Sequence, residues 1–392
     1  MSCSSKEEET YIPVPHVLEI PILFQDKLIA PIIPTNNPLT EEGVALGKKL
    51  FFDKILSGNE TQSCATCHDP AASFTNNERF SKGIDGRFGT RNSMPLFNLA
   101  WNFEELFAWD GKEFSLEKQA LEPVSNPIEM HADWKTVVKK LENHATYPFL
   151  FQQAFGSSRI DSELVTKAIA QFERTLISGN SKFDQYLRGE KNLTPKEQNG
   201  FTIFMDEAKG DCFHCHGSNN NPLWTDHKFH NNGLDLEFKD LGLGAITGDP
   251  SDNGKFKSPS IRNLAFTAPY MHDGRFTTLE EVINDGPYDL FNDVATLFDL
   301  DNENNEESVF DIQYVGIEGG GYGPVTSASR FVSSYMKEPF DGGFNILEVN
   351  DTNGNKLEYM INMTMMRIEL PEVLKFGQKI SFSIKWWYNI NN

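Results

Sequence analysis

Residues 50–74 read LFFDKILSGNETQSCATCHDPAASF, and five of them, Cys64-Ala65-Thr66-Cys67-His68, decide the reading of the whole chain. Two thiols three positions apart can form thioethers to both vinyl groups of one haem and set the next residue, an imidazole, beneath its iron. The spacing therefore predicts a c-type haem attachment site, with Cys64 and Cys67 as anchors and His68 as iron ligand. The pattern returns as Cys212-Phe213-His214-Cys215-His216, so four of the chain's five cysteines fall in two copies of one motif. Zinc ribbons also use paired Cys-x-x-Cys, but they need no histidine directly after each pair. Two covalently bound c-type haems are the expected cofactors.

At 392 residues the chain is long enough for two or three domains. Its 35 Lys+Arg against 56 Asp+Glu, a formal charge of -21, argue against nucleic acid and against docking on anionic lipid by a basic face. Such a field suits a basic protein partner, such as a small electron-donor cytochrome, and equally a solvated acidic surface. Only Cys3 is left outside the motifs, so no internal disulfide framework is available. No apolar run is long enough to span a bilayer. Covalent haem attachment is usually completed beyond a bacterial inner membrane, so the expected location is the periplasm. The opening Met1-Ser2-Cys3-Ser4-Ser5, followed by Lys6 and three glutamates, resembles the end of a bacterial lipoprotein signal and its acidic tether. Cys3 is then the lipidated residue, or else an incidental cysteine in a charged terminus.

Along the chain, prolines 13, 15, 21, 31, 34 and 38 forbid a long helix in the lead-in. Thr40 caps a helix that ends near Asp53 and delivers the chain to the first motif. The glycine-rich stretch 81–91, SKGIDGRFGTR, reads as a loop able to approach the haem. Asp133 caps a helix carrying Trp134, Val137, Val138 and Leu141, and Val165, Ile169, Phe172 and Leu176 mark another. Residues 182–192 read as a link. Thr194-Pro195-Lys196-Glu197 is a capping box opening a helix through Phe201, Phe204, Met205 and Ala208 that closes at Gly210, just before the second motif. Thr278 caps a short helix over 279–284.

Beyond 284 the character changes. An acidic run at 299–307 and three glycines at 319–321 precede strand-like sequence from Phe344. Asn353-Gly354 signals a type I′ hairpin, and Ile380, Phe382, Ile384 and Trp386 alternate with polar residues. The acidic run is no EF-hand, since Asn304 stands where glycine belongs and Phe310 where glutamate belongs. The predicted fold class is mainly α: two cytochrome c-like haem modules followed by a β-rich C-terminal segment. The expected divisions are a tether over 1–37, a first haem domain over 38–185, a second over 186–284, an irregular acidic and glycine-rich segment over 285–330, and a β-rich fragment over 331–392.

Several words in order, LGKKLFFD, LSGNETQSCATCH, GTRNSMPLFNLAWN, AWDGK, LEKQALEPVSNPIEM, CFHCH and PSIRNLAFTAPYMHDGRFTTLEEVI, resemble the bacterial dihaem cytochrome c peroxidases and their methylamine-utilisation relatives over about 38–284. The resemblance implies a cytochrome-c peroxidase. Its first haem reduces hydrogen peroxide to water, and its second takes electrons from a small cytochrome c or copper protein. It makes His68 and His216 the proximal iron ligands and Glu129 the distal acid/base group, a role that O–O bond heterolysis requires. It also makes Gln119 the group that orients peroxide and Trp109 the ring between the haems. Asn92, Thr267 and Pro269 match the ligands of a calcium ion. A homodimer is a further expectation.

Two positions depart from the family. Ile84 stands where some members carry a histidine that occupies the peroxide site, so the first haem is expected to be open without reductive activation. The sixth ligand of the second haem should fall at Gly286, which has no ligating side chain, and the family's closing helices are missing. Residues 284–323 instead resemble a piece of an outer-membrane nutrient-binding lipoprotein, and 331–392 part of the N-terminal β-domain of a zinc aminopeptidase. No His-Glu-x-x-His occurs, so no peptidase activity is expected. Three alternatives stay open: a non-catalytic dihaem electron carrier, methylamine-utilisation-type oxidation of a protein substrate through high-valent haem, and an inactive chimera.

Overall fold

In the computed structural model, which describes residues 12–284 except 208, 209 and 236, together with 345–351, 353–357, 359–362, 365–368 and 382–387, the helix Glu41–Phe52 crosses the helix Ser162–Arg174 at glycine. A Cβ on Gly47 would lie 1.8 Å from the Ala168 carbonyl oxygen, so the two backbones meet where any other residue would hold them apart. That approach lets Leu46, Leu50 and Phe51 join Val165, Ile169 and Phe172 in one buried cluster. Phe51 meets Phe172 edge-on at 5.2 Å between ring centroids.

The caps fall where the sequence predicts them. Thr40 accepts from the Gly43 N–H, and Asp133 accepts from the Thr136 N–H at the start of Trp134–Glu142. Val137 and Leu141 are the buried face of that helix. The helix Tyr147–Phe155 has no counterpart in the sequence reading. It seals the first core with Tyr147, whose hydroxyl donates to Asp53 Oδ2 at 2.6 Å.

A second core gathers Phe183, Phe204, Trp224, Leu279 and Ile283. Two expectations need correction here. Residues 182–192 are not simply a link, because Lys182–Leu187 is a helix that opens on a Ser181/Asp184 capping box and buries Phe183 in the second core. The helix at the Thr194 box ends at Phe204 rather than Gly210. Gly210 instead turns back so that its N–H reaches the Ile203 carbonyl, and this turn hands the chain to Cys212.

The two cores share a smaller repeat. Asn98 (φ 58°) precedes the 3-10 turn Leu99–Trp101, and Asn263 (φ 56°) precedes Leu264–Phe266. The helix Leu279–Asn284 starts at Thr278 as predicted, with Thr278 Oγ1 accepting from the Glu281 N–H.

The chain divides into two units, Met1–Tyr322 and Gly323–Asn392. In the second, Asn345–Asp351 pairs antiparallel with Phe382–Trp387, and Tyr359–Asn362 with Met365–Ile368. The Asn353-Gly354 turn is not type I′, which needs positive φ at both residues. Only Gly354 is left-handed (φ 84°), its N–H bonds the Asp351 carbonyl, and Asp351 pairs with Asn355. Among the described residues no helix is long and apolar enough to cross a membrane. Cys3, Gly286, the 299–307 run and the 319–321 glycines lie outside the described residues.

Candidate active site

The first motif forms a single helical turn, Cys64–Cys67, closed at its start by a Ser63/Thr66 capping box. Residues three apart on a turn share a face, so both thiols point to the same side, as two thioethers to one haem require. His68 leaves that turn with Nδ1 2.9 Å from the Phe74 carbonyl oxygen. As a donor there, Nδ1 leaves the Nε2 lone pair free for iron and sets the ring plane. Burial holds the imidazole below its ordinary pKa and so keeps it neutral, the form that ligates metal.

The second motif repeats the device. In Phe213–His216 the His216 Nδ1 lies 3.2 Å from the Pro259 carbonyl, and burial again lowers its pKa. Ser258 Oγ, bonded to the Cys215 carbonyl, braces the same turn. His214 turns away to Asp211 and is exposed. The residues present therefore fit two thioether-bound haems, each with one oriented imidazole that would hold its iron.

A cleft of about 360 Å³ brings Cys67 and His68 together with Trp109, Gln119 and Glu129. The three catalytic candidates thus share one space with the first iron ligand. None of 212–216 lines it. Glu129 is pushed up to about 7, chiefly by burial and then by the charge of Glu122, against the opposing pull of Lys112 and Asn126. Asn126 Nδ2 donates to Glu129 Oε1 at 2.9 Å and to Glu122 Oε1 at 2.9 Å, and Lys112 Nζ sits 3.2 Å from Glu122. Glu122, Asn126 and Lys112 were missed by sequence reasoning. The only signal was their place within the LEPVSNPIE and AWDGK words.

Trp109 is buried and held at both ends: its indole N–H donates to the Asn92 carbonyl at 2.8 Å, and its carbonyl accepts from the Lys257 N–H at 2.9 Å. Ile84 does not line the cleft; its N–H bonds the Glu129 carbonyl at 2.9 Å, which ties the glycine-rich loop to the acid's own backbone. Of the calcium set, the Asn92 N–H bonds the His272 carbonyl, and Asn77, from the same loop region, donates to the carbonyls of Phe266 and Ala268, on either side of Thr267 and next to Pro269. These residues lie along one seam. Among the described residues no cluster of His, Cys, Asp or Glu could hold a metal ion.

The fold and the two oriented histidines define a dihaem c-type cytochrome. Residues 41–192 match the family model described as di-haem cytochrome c peroxidase. The chain is 38% identical over 257 residues to the methylamine utilization protein MauG of Methylophilus methylotrophus, covering 64% of this chain and 73% of that protein. It is 35% identical over 260 residues to the cytochrome c peroxidase Ccp of Escherichia coli (strain K12), covering 64% of this chain and 54% of that one. Among solved structures, a MauG-like protein associated with microbial copper homeostasis superposes with a TM-score of 0.62 at 38% identity, over 68% of this chain and 81% of its own. The chain belongs to the di-haem cytochrome c peroxidase family. It carries two covalently bound c-type haems and is an oxidoreductase of the peroxidase type.

Proposed function

We propose that the chain reduces hydrogen peroxide to water at the first haem, with electrons arriving through the second from a small cytochrome c or copper protein. The observation that carries this reading is the single cleft lined both by His68 and by Glu129, a half-buried carboxyl poised near neutrality. The first haem, when bound, supplies the iron-centred redox chemistry. Peroxide, two electrons and two protons become two waters, which requires a proton to pass from one peroxide oxygen to the other. Glu129 takes that proton as carboxylate and returns it as carboxylic acid, while Asn126 holds its Oε1. Gln119 orients the peroxide with its amide, and the Trp109 ring carries electrons between the haems.

Ile84 has no lone pair to offer iron, and its N–H is committed to the Glu129 carbonyl. The oxidised protein is therefore expected to turn over peroxide at once, without prior reduction. Stopped-flow mixing with peroxide and a reduced small cytochrome checks this; a lag abolished by pre-reduction would contradict it.

In this reading the organisation is the tether over 1–37, two haem modules over 38–185 and 186–284, a segment over 285–330 and a β-rich fragment over 331–392. The location is the periplasm, with Cys3 as a lipid anchor, calcium at Asn92, Thr267 and Pro269, and a homodimer. A second reading, oxidation of another protein, is favoured by the identity to the methylamine utilization protein. The donor assay separates the two. Sustained oxidation of reduced cytochrome by peroxide supports the peroxidase, and its absence in haem-loaded protein removes it.

A further inference from the structure

A haem tethered through its vinyl edge at Cys64 and Cys67 presents two carboxylates on the opposite edge, and a half-buried carboxylate needs a cation or a donor. Three cationic side chains line the cleft that holds His68: Arg91, Lys112 and Lys257. Two are already matched. Arg91 pairs with Asp110 and bidentately with Asp240, and Lys112 pairs with Glu122.

Lys257 is different. It is 7% exposed, and its Nζ bonds only neutral oxygens, Asn102 Oδ1 at 3.1 Å and the Leu106 carbonyl. Among the described residues it has no carboxylate within ion-pair distance. The rings of Phe107 and Phe229 flank the ammonium at 5.9 Å each. Burial lowers its pKa to about 8, against the opposing pull of the Glu104 and Asp226 charges. A cation desolvated to this degree without a counterion is costly in the protein alone.

Beside it, His227 also lines the cleft, and its Nε2 is shielded from solvent with no hydrogen-bond partner. Its backbone is left-handed at φ 58°, a conformation that non-glycine residues hold only where the surroundings enforce it. Burial and the Lys257 charge keep its imidazole neutral, and in the tautomer protonated at Nε2 that N–H is a donor without an acceptor. An unmatched cation and an unmatched donor thus face one space.

We propose that Lys257 and His227 together anchor a propionate carboxylate of the first haem. Both residues come from the chain around the second motif, Lys257 through the strand pair Phe229–His230 and Phe256–Lys257. The carboxylate then clasps the first haem to the second half of the protein, against the strand whose Lys257 N–H holds Trp109. The anchor concerns how the first haem is held and does not depend on peroxide being the substrate.

The test uses haem-loaded full chain and spectrally resolved redox titration, with resonance Raman of the propionate bending mode as a second readout. Ferric haem carries one more positive charge than ferrous, so removing a nearby cation favours the ferric form. In Lys257→Gln the first haem's midpoint is expected to fall and its propionate mode to shift, while the second haem's midpoint stays near the wild-type value. Lys257→Arg should restore most of both. His227→Asn, which suits a left-handed backbone, should give a smaller shift of the same sign, and it carries the test if Lys257→Gln does not accumulate. An unchanged first-haem midpoint and propionate mode, or a shift confined to the second haem, would overturn the proposal. Loss of peroxide turnover with the anchor signature intact would instead count against the peroxidase reading alone.

Discussion

Glu129→Gln is expected to lower peroxide turnover by about 10²–10⁴-fold while leaving both haems attached. The carboxyl shares the cleft with His68 and accepts a hydrogen bond from the Asn126 side-chain amide, so the substitution keeps the volume and a hydrogen-bonding group while removing the transferable proton. The pH profile adds a second readout. Glu129 is raised to about 7 by burial and Glu122, so the carboxylate needed to accept the first proton is scarce below that pH and abundant above it. The second-order rate constant with peroxide should therefore rise as pH climbs through about 7 in the wild type and lose this step in Glu129→Gln. Rapid mixing at several pH values, with haem content checked by pyridine haemochrome, decides it. A variant with near wild-type turnover would remove Glu129 from the reaction.

Asp184→Ala is expected to destabilise the protein by roughly 3–5 kcal/mol, the cost of leaving one member of a buried ion pair without its partner. Asp184 is 0% exposed and Arg262 2%. The guanidinium grips the carboxylate with both Nη atoms, one at 2.8 Å, while its Nε–H donates to the Pro222 carbonyl. Asp184 Oδ2 also accepts from the Ser181 N–H and hydroxyl at the start of Lys182–Leu187. One carboxylate therefore fastens that helix to the PSIRN word itself, through its Arg262. Against a total stability of about 5–15 kcal/mol this loss is large. Urea denaturation of the haem-loaded variant should show a much lower midpoint, and Asp184→Leu combined with Arg262→Met should recover part of it. An unchanged midpoint would mean the pair is dispensable.

The helices were legible because their signals are local. Thr40, Asp133, Thr194 and Thr278 each announced a helix start, and the apolar spacing of Val137 and Leu141 announced a buried face. Lys182–Leu187 was misread because a six-residue helix has too few positions to establish a period; its identity rests on Phe183 and Asp184 finding partners far along the chain. Tyr147–Phe155 escaped because its aromatic-rich sequence shows no clear polar face. The hairpin at Gly354 kept its place and changed its type, since the turn dipeptide marks a reversal while the flanking pairing sets the geometry.

By itself the sequence determined where two haems attach, because thioether spacing and the histidine that follows are fixed within five residues. Through the quoted family words it also named Glu129, Gln119 and Trp109 as candidates. Only the tertiary structure decided that these three share a cleft with His68, that Glu122, Asn126 and Lys112 tune Glu129, and that Lys257 and His227 face the same space unmatched. The physical reason is that burial and Coulomb interaction depend on distances between residues far apart in the chain, and no local spacing encodes those distances.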